Sequence, residues 1–136
     1  MQKSKIINEI AQSIDCGYDC YYNPKTGRII EIPDLSTIYD QELFEEAFQS
    51  DLETIETYED DFIKIEPLES FEAFKIMERF VDQLPENTLK SKLETALQRK
   101  KPFQNFKYLV DHSDFRESWF KFKQNELEKI VADILE

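Results

Sequence analysis

Apolar residues in this chain recur at two spacings, and the change from one to the other divides it into elements. Over residues 4–14, Ile6, Ile7, Ile10, Ala11 and Ile14 return every three or four positions, with Asn8, Glu9, Gln12 and Ser13 on the other face. That spacing predicts an amphipathic helix. Two β-favouring runs follow, at residues 19–23 and 28–32, on either side of Pro24-Lys25-Thr26-Gly27. They predict a β-hairpin closed by a turn of about four residues. Helical spacing returns over 41–57, placing Leu43, Phe44, Ala47, Phe48, Leu52 and Ile55 on one side and Glu42, Glu45, Glu46, Gln49, Glu53 and Glu56 outward. Residues 61–67 then alternate Phe62 and Lys64 with Ile63 and Ile65. This is a short strand, ended by Pro67, that can join the hairpin.

From residue 70 onward the period is helical to the end. Ser70 is the expected N-cap of a helix carrying Phe71, Phe74, Met77, Phe80, Val81 and Leu84, stopped at Pro85. Asn87 or Thr88 opens the next, with Leu89, Leu93, Ala96 and Leu97 on one face. Pro102 suits the first position of a short helix that turns Phe103, Phe106, Leu109 and Val110 inward. Asp114 is the expected cap of a last helix with the stripe Phe115, Trp119, Phe122, Leu127, Ile130, Val131, Ile134 and Leu135. The expectation is a single α+β domain over residues 1–136: a small antiparallel sheet, the hairpin plus one strand, packed with five to six helices, the carboxyl-terminal half all helical. The aromatic stripes read as core and not as a cofactor box.

Composition supports a folded chain. At 136 residues it can bury one core without disulfides or a structural metal, and 40% hydrophobic residues exclude disorder despite the 34% that are charged. Two glycines argue against a Gly-rich phosphate loop. No apolar stretch reaches signal-peptide length or the roughly eighteen residues of a membrane span. A cytoplasmic protein with no membrane contact is expected.

Charge changes the picture more. The net charge of −12 belongs to one segment: residues 31–72 hold fifteen acids against the single base Lys64, and the flanking parts each come to +1. Such a segment reads first as a solvated helix face and loop, and otherwise as a surface for a basic partner, a divalent-cation site or a mimic of nucleic-acid phosphates; it repels nucleic acid itself, so general nucleic-acid binding is disfavoured. Within the segment Glu59, Asp60 and Asp61 are the candidate ligands for a divalent cation, although they lack the spacing and glycine of an EF-hand loop. They carry the runner-up function, a metal-assisted hydrolase of phosphate esters. Cys16 and Cys20, with the lone His112, fall short of a zinc set and read as two reduced thiols near a turn, a disulfide or redox pair being the alternative. A cysteine nucleophile would need His112 beside it, and no Walker loop, dinucleotide fingerprint, nucleophile elbow or His-Glu-x-x-His occurs.

The basic cluster Arg99, Lys100, Lys101 and Lys107 is the candidate site for an anion or an acidic partner, because it lies beside the helix start at Pro102 with its free N–H groups. A structural role competes with this, since cations ending one helix complement its dipole. Nucleic-acid backbone at this turn is the third reading. The leading one is a non-enzymatic interaction or regulatory module that uses the acidic surface and the basic turn. It has no cofactor and binds a protein partner that the sequence does not identify, a second copy of the chain being one candidate.

Five runs, in order, carry a resemblance: residues 21–30 (Tyr-Tyr-Asn-Pro-Lys-Thr-Gly-Arg-Ile-Ile), 62–67 (Phe-Ile-Lys-Ile-Glu-Pro), 77–80 (Met-Glu-Arg-Phe), 96–107 around Pro102, Phe103 and Phe106, and 119–122 (Trp-Phe-Lys-Phe). The chain resembles the bacterial uncharacterised protein family numbered 0158 over nearly its whole length. The resemblance implies the fold and supplies no catalytic residue. Members of that family usually show a glycine in the basic turn and arginines between the two phenylalanines. Here the turn is Arg99-Lys100-Lys101-Pro102, followed by Gln104 and Asn105, which dilutes the basic surface that the family pattern implies.

Overall fold

A computed structural model describes residues 2–33 and 41–135. The chain forms two compact units, Met1–Pro67 with Leu127–Glu136, and Leu68–Glu126. The α+β class is as expected, with a three-stranded antiparallel sheet and a helical carboxyl-terminal half.

In the first unit α1 (Gln2–Asp15) is followed by β1 (Asp19–Tyr22), β2 (Ile29–Ile32), α2 (Gln41–Thr57) and β3 (Ile63–Ile65). The strands lie in the order β2-β1-β3, with Tyr21 opposite both Ile30 and Lys64, and Cys20 opposite both Glu31 and Ile65. α1 ends in a Schellman motif: Gly17, at φ 89, donates to Ile14 O and Tyr18 N donates to Ser13 O, each at 3.1 Å. The return of the chain covers Ser13, which is buried with Ile10, Ala11 and Ile14 and not turned outward as its polarity suggests. The hairpin turn is organised by Asn23, whose side-chain oxygen accepts from Lys25 N (2.9 Å) and Thr26 N (3.3 Å), while Gly27 N donates to Asn23 O at 2.8 Å.

α2 lies against one sheet face through Phe44, which is buried with Ile30 and Ile32. Phe48, Ile55, Tyr21 and Phe62 are packed around them. Its bounds match the periodicity, but its apolar stripe is narrower than expected, for Leu43 is 64% and Leu52 38% exposed. Strand alternation turns Cys20 and Ile65 to the opposite face, where both are buried and α1 meets β1.

The second unit is helical: α3 (Ser70–Asp82), α4 (Thr88–Leu97), α5 (Pro102–Asp111) and the first part of α6 (Arg116–Leu135). Its core is an aromatic cluster in which Phe80 lies 6.4 Å from Phe106, 5.2 Å from Trp119 and 5.4 Å from Phe122 between ring centroids. Phe106 and Trp119 stand edge to face at 4.9 Å. These are the separations at which ring quadrupoles add to burial. Leu93, Val81 and Val110 are buried as well. Caps explain the boundaries. Asn87 caps α4 by accepting from Lys90 N at 2.8 Å. For α3 the cap is Glu69, reciprocated by Glu72 in a capping box, and not Ser70, one position on. At α6 the hydroxyl that holds the turn is that of Ser113, which accepts from Phe115 N at 3.1 Å, where Asp114 was expected. Phe103, expected inward, is 42% exposed and meets only the edge of Phe74 at 6.3 Å among the ring pairs described.

Candidate functional site

Among the described residues of the acidic segment, the glutamates of α2 lie along one exposed face. Glu42, Glu45, Glu46, Gln49, Glu53 and Glu56 are exposed along α2 and border an open depression of about 540 Å³ that also takes in Leu52. The helix has an acid in its first turn, where the dipole favours it, and no base in its last, where Glu53 and Glu56 meet the negative end. Arg28 of the hairpin reaches Asp51 at 3.4 Å.

Glu59, Asp60 and Asp61 form a 3-10 turn after α2. Asp61 accepts a hydrogen bond from Lys25 Nζ at 2.8 Å, and that bond, with its charge, raises the pKa of the exposed lysine. Among the described residues no group of three His, Cys, Asp or Glu side chains converges as a metal ion requires. The two cysteines are free thiols, Cys16 exposed and Cys20 buried. Burial, then the charge of Glu31, pushes the Cys20 thiol up to about 12, against a weaker lowering by the Ser13 hydroxyl, so it is no nucleophile near neutrality. His112 is exposed; its Nδ1 lies 2.8 Å from Tyr108 O and its ring 4.3 Å from the Tyr108 ring.

The basic turn joins α4 to α5. Arg99, Lys100, Lys101 and Lys107 are all exposed, and Lys101 is the one described non-glycine residue in the left-handed region, at φ 55 and ψ 53. Asn105 Nδ2 donates to Lys100 O at 3.1 Å and closes the turn. Beside it a groove of about 530 Å³ runs between α4 and α5, lined among others by Ser91, Lys92, Thr95, Arg99, Asn105 and Tyr108. Of the four predicted cations only Arg99 lines the groove. Ser91, Thr95, Asn105 and Tyr108 were not singled out by sequence, although positions 88, 91, 92 and 95 on one helix, with 99 just past its end, and 105, 108 and 109 on the next carry the spacing of two facing stripes.

Among the described residues, no helix is long and apolar enough to cross a membrane. No solved structure matches the chain. The UPF0158 protein PA5073 of Pseudomonas aeruginosa is 26% identical to it over 133 residues, which cover 96% of this chain and 80% of that protein. The Uncharacterised protein family (UPF0158) matches residues 1–136. With that match over its whole length, the chain belongs to the Uncharacterised protein family UPF0158.

Proposed function

We propose that the protein is a non-enzymatic interaction module that takes a cationic protein partner on the outer face of α2. The observation that carries this is the composition of that face: five glutamates at helical spacing, with Leu52 exposed among them. Like charges three and four positions apart destabilise a helix by about 0.2–0.5 kcal/mol per pair. A partner's lysines or arginines relieve that repulsion on contact, and Leu52 supplies an apolar point for it to cover. Such a surface contributes chiefly to encounter rate and to discrimination among partners. A reducing compartment, the cytoplasm, fits the two free thiols.

The test is capture of partners from native lysate by the full chain and by a Glu45→Lys/Glu46→Lys/Glu53→Lys variant, with each captured species then purified and titrated by calorimetry. A basic protein that binds the parent chain and loses at least tenfold in affinity for the variant supports the reading. Identical binding to both chains overturns it. Stoichiometric Mn²⁺ uptake that Asp60→Asn/Asp61→Asn abolishes would overturn it in favour of metal-assisted hydrolysis.

A further inference from the structure

We infer that the groove between α4 and α5 binds single-stranded RNA, with phosphates on Lys92 and Arg99 and a base stacked on Tyr108. This stands independently of the reading of α2. In a chain with 29 acids and 17 bases, the groove's lining contains two cations and no carboxylate. Neither Lys92 nor Arg99 forms an ion pair with a described residue, and the same holds for Lys100, Lys101 and Lys107 around the turn. By contrast Lys25, Arg28, Lys64, Arg79, Lys90 and Arg116 each pair with an acid. Lys92 and Arg99 in the groove, with Lys100 and Lys101 in the turn next to Arg99, are thus left for an external polyanion. At physiological ionic strength charge is screened over about 8 Å, so a ligand in the groove responds to its lining more than to the net charge of the whole chain.

An acidic peptide would satisfy the cations alone. The remaining lining suits a nucleotide. Tyr108 is 63% exposed, and its ring lies beside that of His112, an aromatic surface on which an unpaired base can stack. Thr95 Oγ1 donates to Ser91 O at 3.0 Å, which leaves its oxygen lone pairs to accept from a ribose 2′-hydroxyl. Asn105 has one amide N–H committed to Lys100 O and keeps its carbonyl oxygen and second N–H for a base edge or sugar. A duplex offers no unstacked base to this arrangement.

The experiment is fluorescence anisotropy of a labelled twelve-nucleotide oligouridine with the full chain, from 50 to 200 mM KCl. With about three cations engaged, log affinity falls against log salt with a slope of about −2. Lys92→Glu/Arg99→Glu weakens binding at least tenfold and flattens the slope. Tyr108→Ala weakens it about tenfold and leaves the slope unchanged, while Tyr108→Phe binds as the parent does. All of these side chains are exposed, and circular dichroism checks each fold. The deoxy strand of the same sequence binds several-fold more weakly. Absence of binding at 50 mM, or variants equal to the parent, overturns the inference. So does a deoxy strand bound equally well, and so does displacement of the RNA by polyglutamate at equal charge concentration, which would assign the groove to an acidic protein.

Discussion

Lys101 occupies a backbone conformation that its side chain opposes. The left-handed region costs an L-residue about 1–2 kcal/mol, and glycine there loses roughly 0.5–1 kcal/mol through the greater freedom of its unfolded chain. The first effect is the larger, so Lys101→Gly is expected to stabilise by about 0.5–1 kcal/mol, seen as a higher urea midpoint with unchanged slope. A lower midpoint would mean that the lysine makes a compensating contact. Sequence showed a basic run before a proline but not which residue bends, and a glycine would adopt this conformation at position 101 without steric cost. Cys20 gives a second expectation at this scale. Its thiol is held at about 12 against an ordinary 9.0, so above pH 9 the unfolded chain releases a proton that the folded chain retains. The stability that this shift contributes is complete below pH 9 and is lost progressively toward 12. At pH 8 a thiol reagent should label Cys16 alone until denaturant is added, and Cys20→Ala should reduce the fall in stability between pH 9 and 12. Rapid labelling of both thiols in the native protein would contradict the burial.

At the scale of elements, the period of the apolar residues locates a helix and the direction of its buried face. It does not report how wide that face is, because width depends on what covers it. α2 has the bounds its periodicity indicates, yet among its described residues only Phe44 is buried, since the strand it meets is short and presents Ile30 and Ile32. The same reasoning separates the two phenylalanines of α5. Phe106 is enclosed by Phe80 and Trp119, whereas Phe103, at the start of the helix, meets one ring edge and solvent. Phe106→Ala should cost about 3–5 kcal/mol. Phe103→Ala should cost less than about 1.5 kcal/mol, in line with its partial exposure. Equal losses in urea titrations would show that Phe103 is a core residue after all. Caps were legible where the side chain was a strong acceptor followed by helix formers, as at Asn87. They were missed by one position where a capping box of two glutamates resembled part of an acidic surface. The groove was not legible, because it arises from two stripes on separate helices, neither carrying a motif of its own.

For the molecule as a whole, the α+β class followed from the switch of period, and function did not, because no catalytic constellation accompanies it. Charge is the property that acts at this scale. The net charge of −12 is concentrated in residues 31–72, and the six ion pairs described are largely exposed, each contributing about 0–1 kcal/mol. Repulsion along α2 alone, summed over Glu42 with Glu45 and Glu46 and Glu53 with Glu56, is on the order of 1 kcal/mol at low salt. Lowering the Debye length from about 30 Å at 0.01 M to about 8 Å at 0.15 M screens this repulsion together with that of the whole excess of 29 acids over 17 bases, and in a chain of that imbalance the relief of repulsion is expected to exceed the loss of ion-pair attraction. Tm is expected to rise by about 3–5 °C between these NaCl concentrations, and to rise less in the Glu45→Lys/Glu46→Lys/Glu53→Lys variant. A Tm that falls with salt would show that the ion pairs outweigh the repulsion. The sign has a further use: salt weakens the proposed contacts at α2 and at the α4–α5 groove while strengthening the fold, so binding lost between 50 and 200 mM salt is lost from a more stable protein and reports on the contact itself.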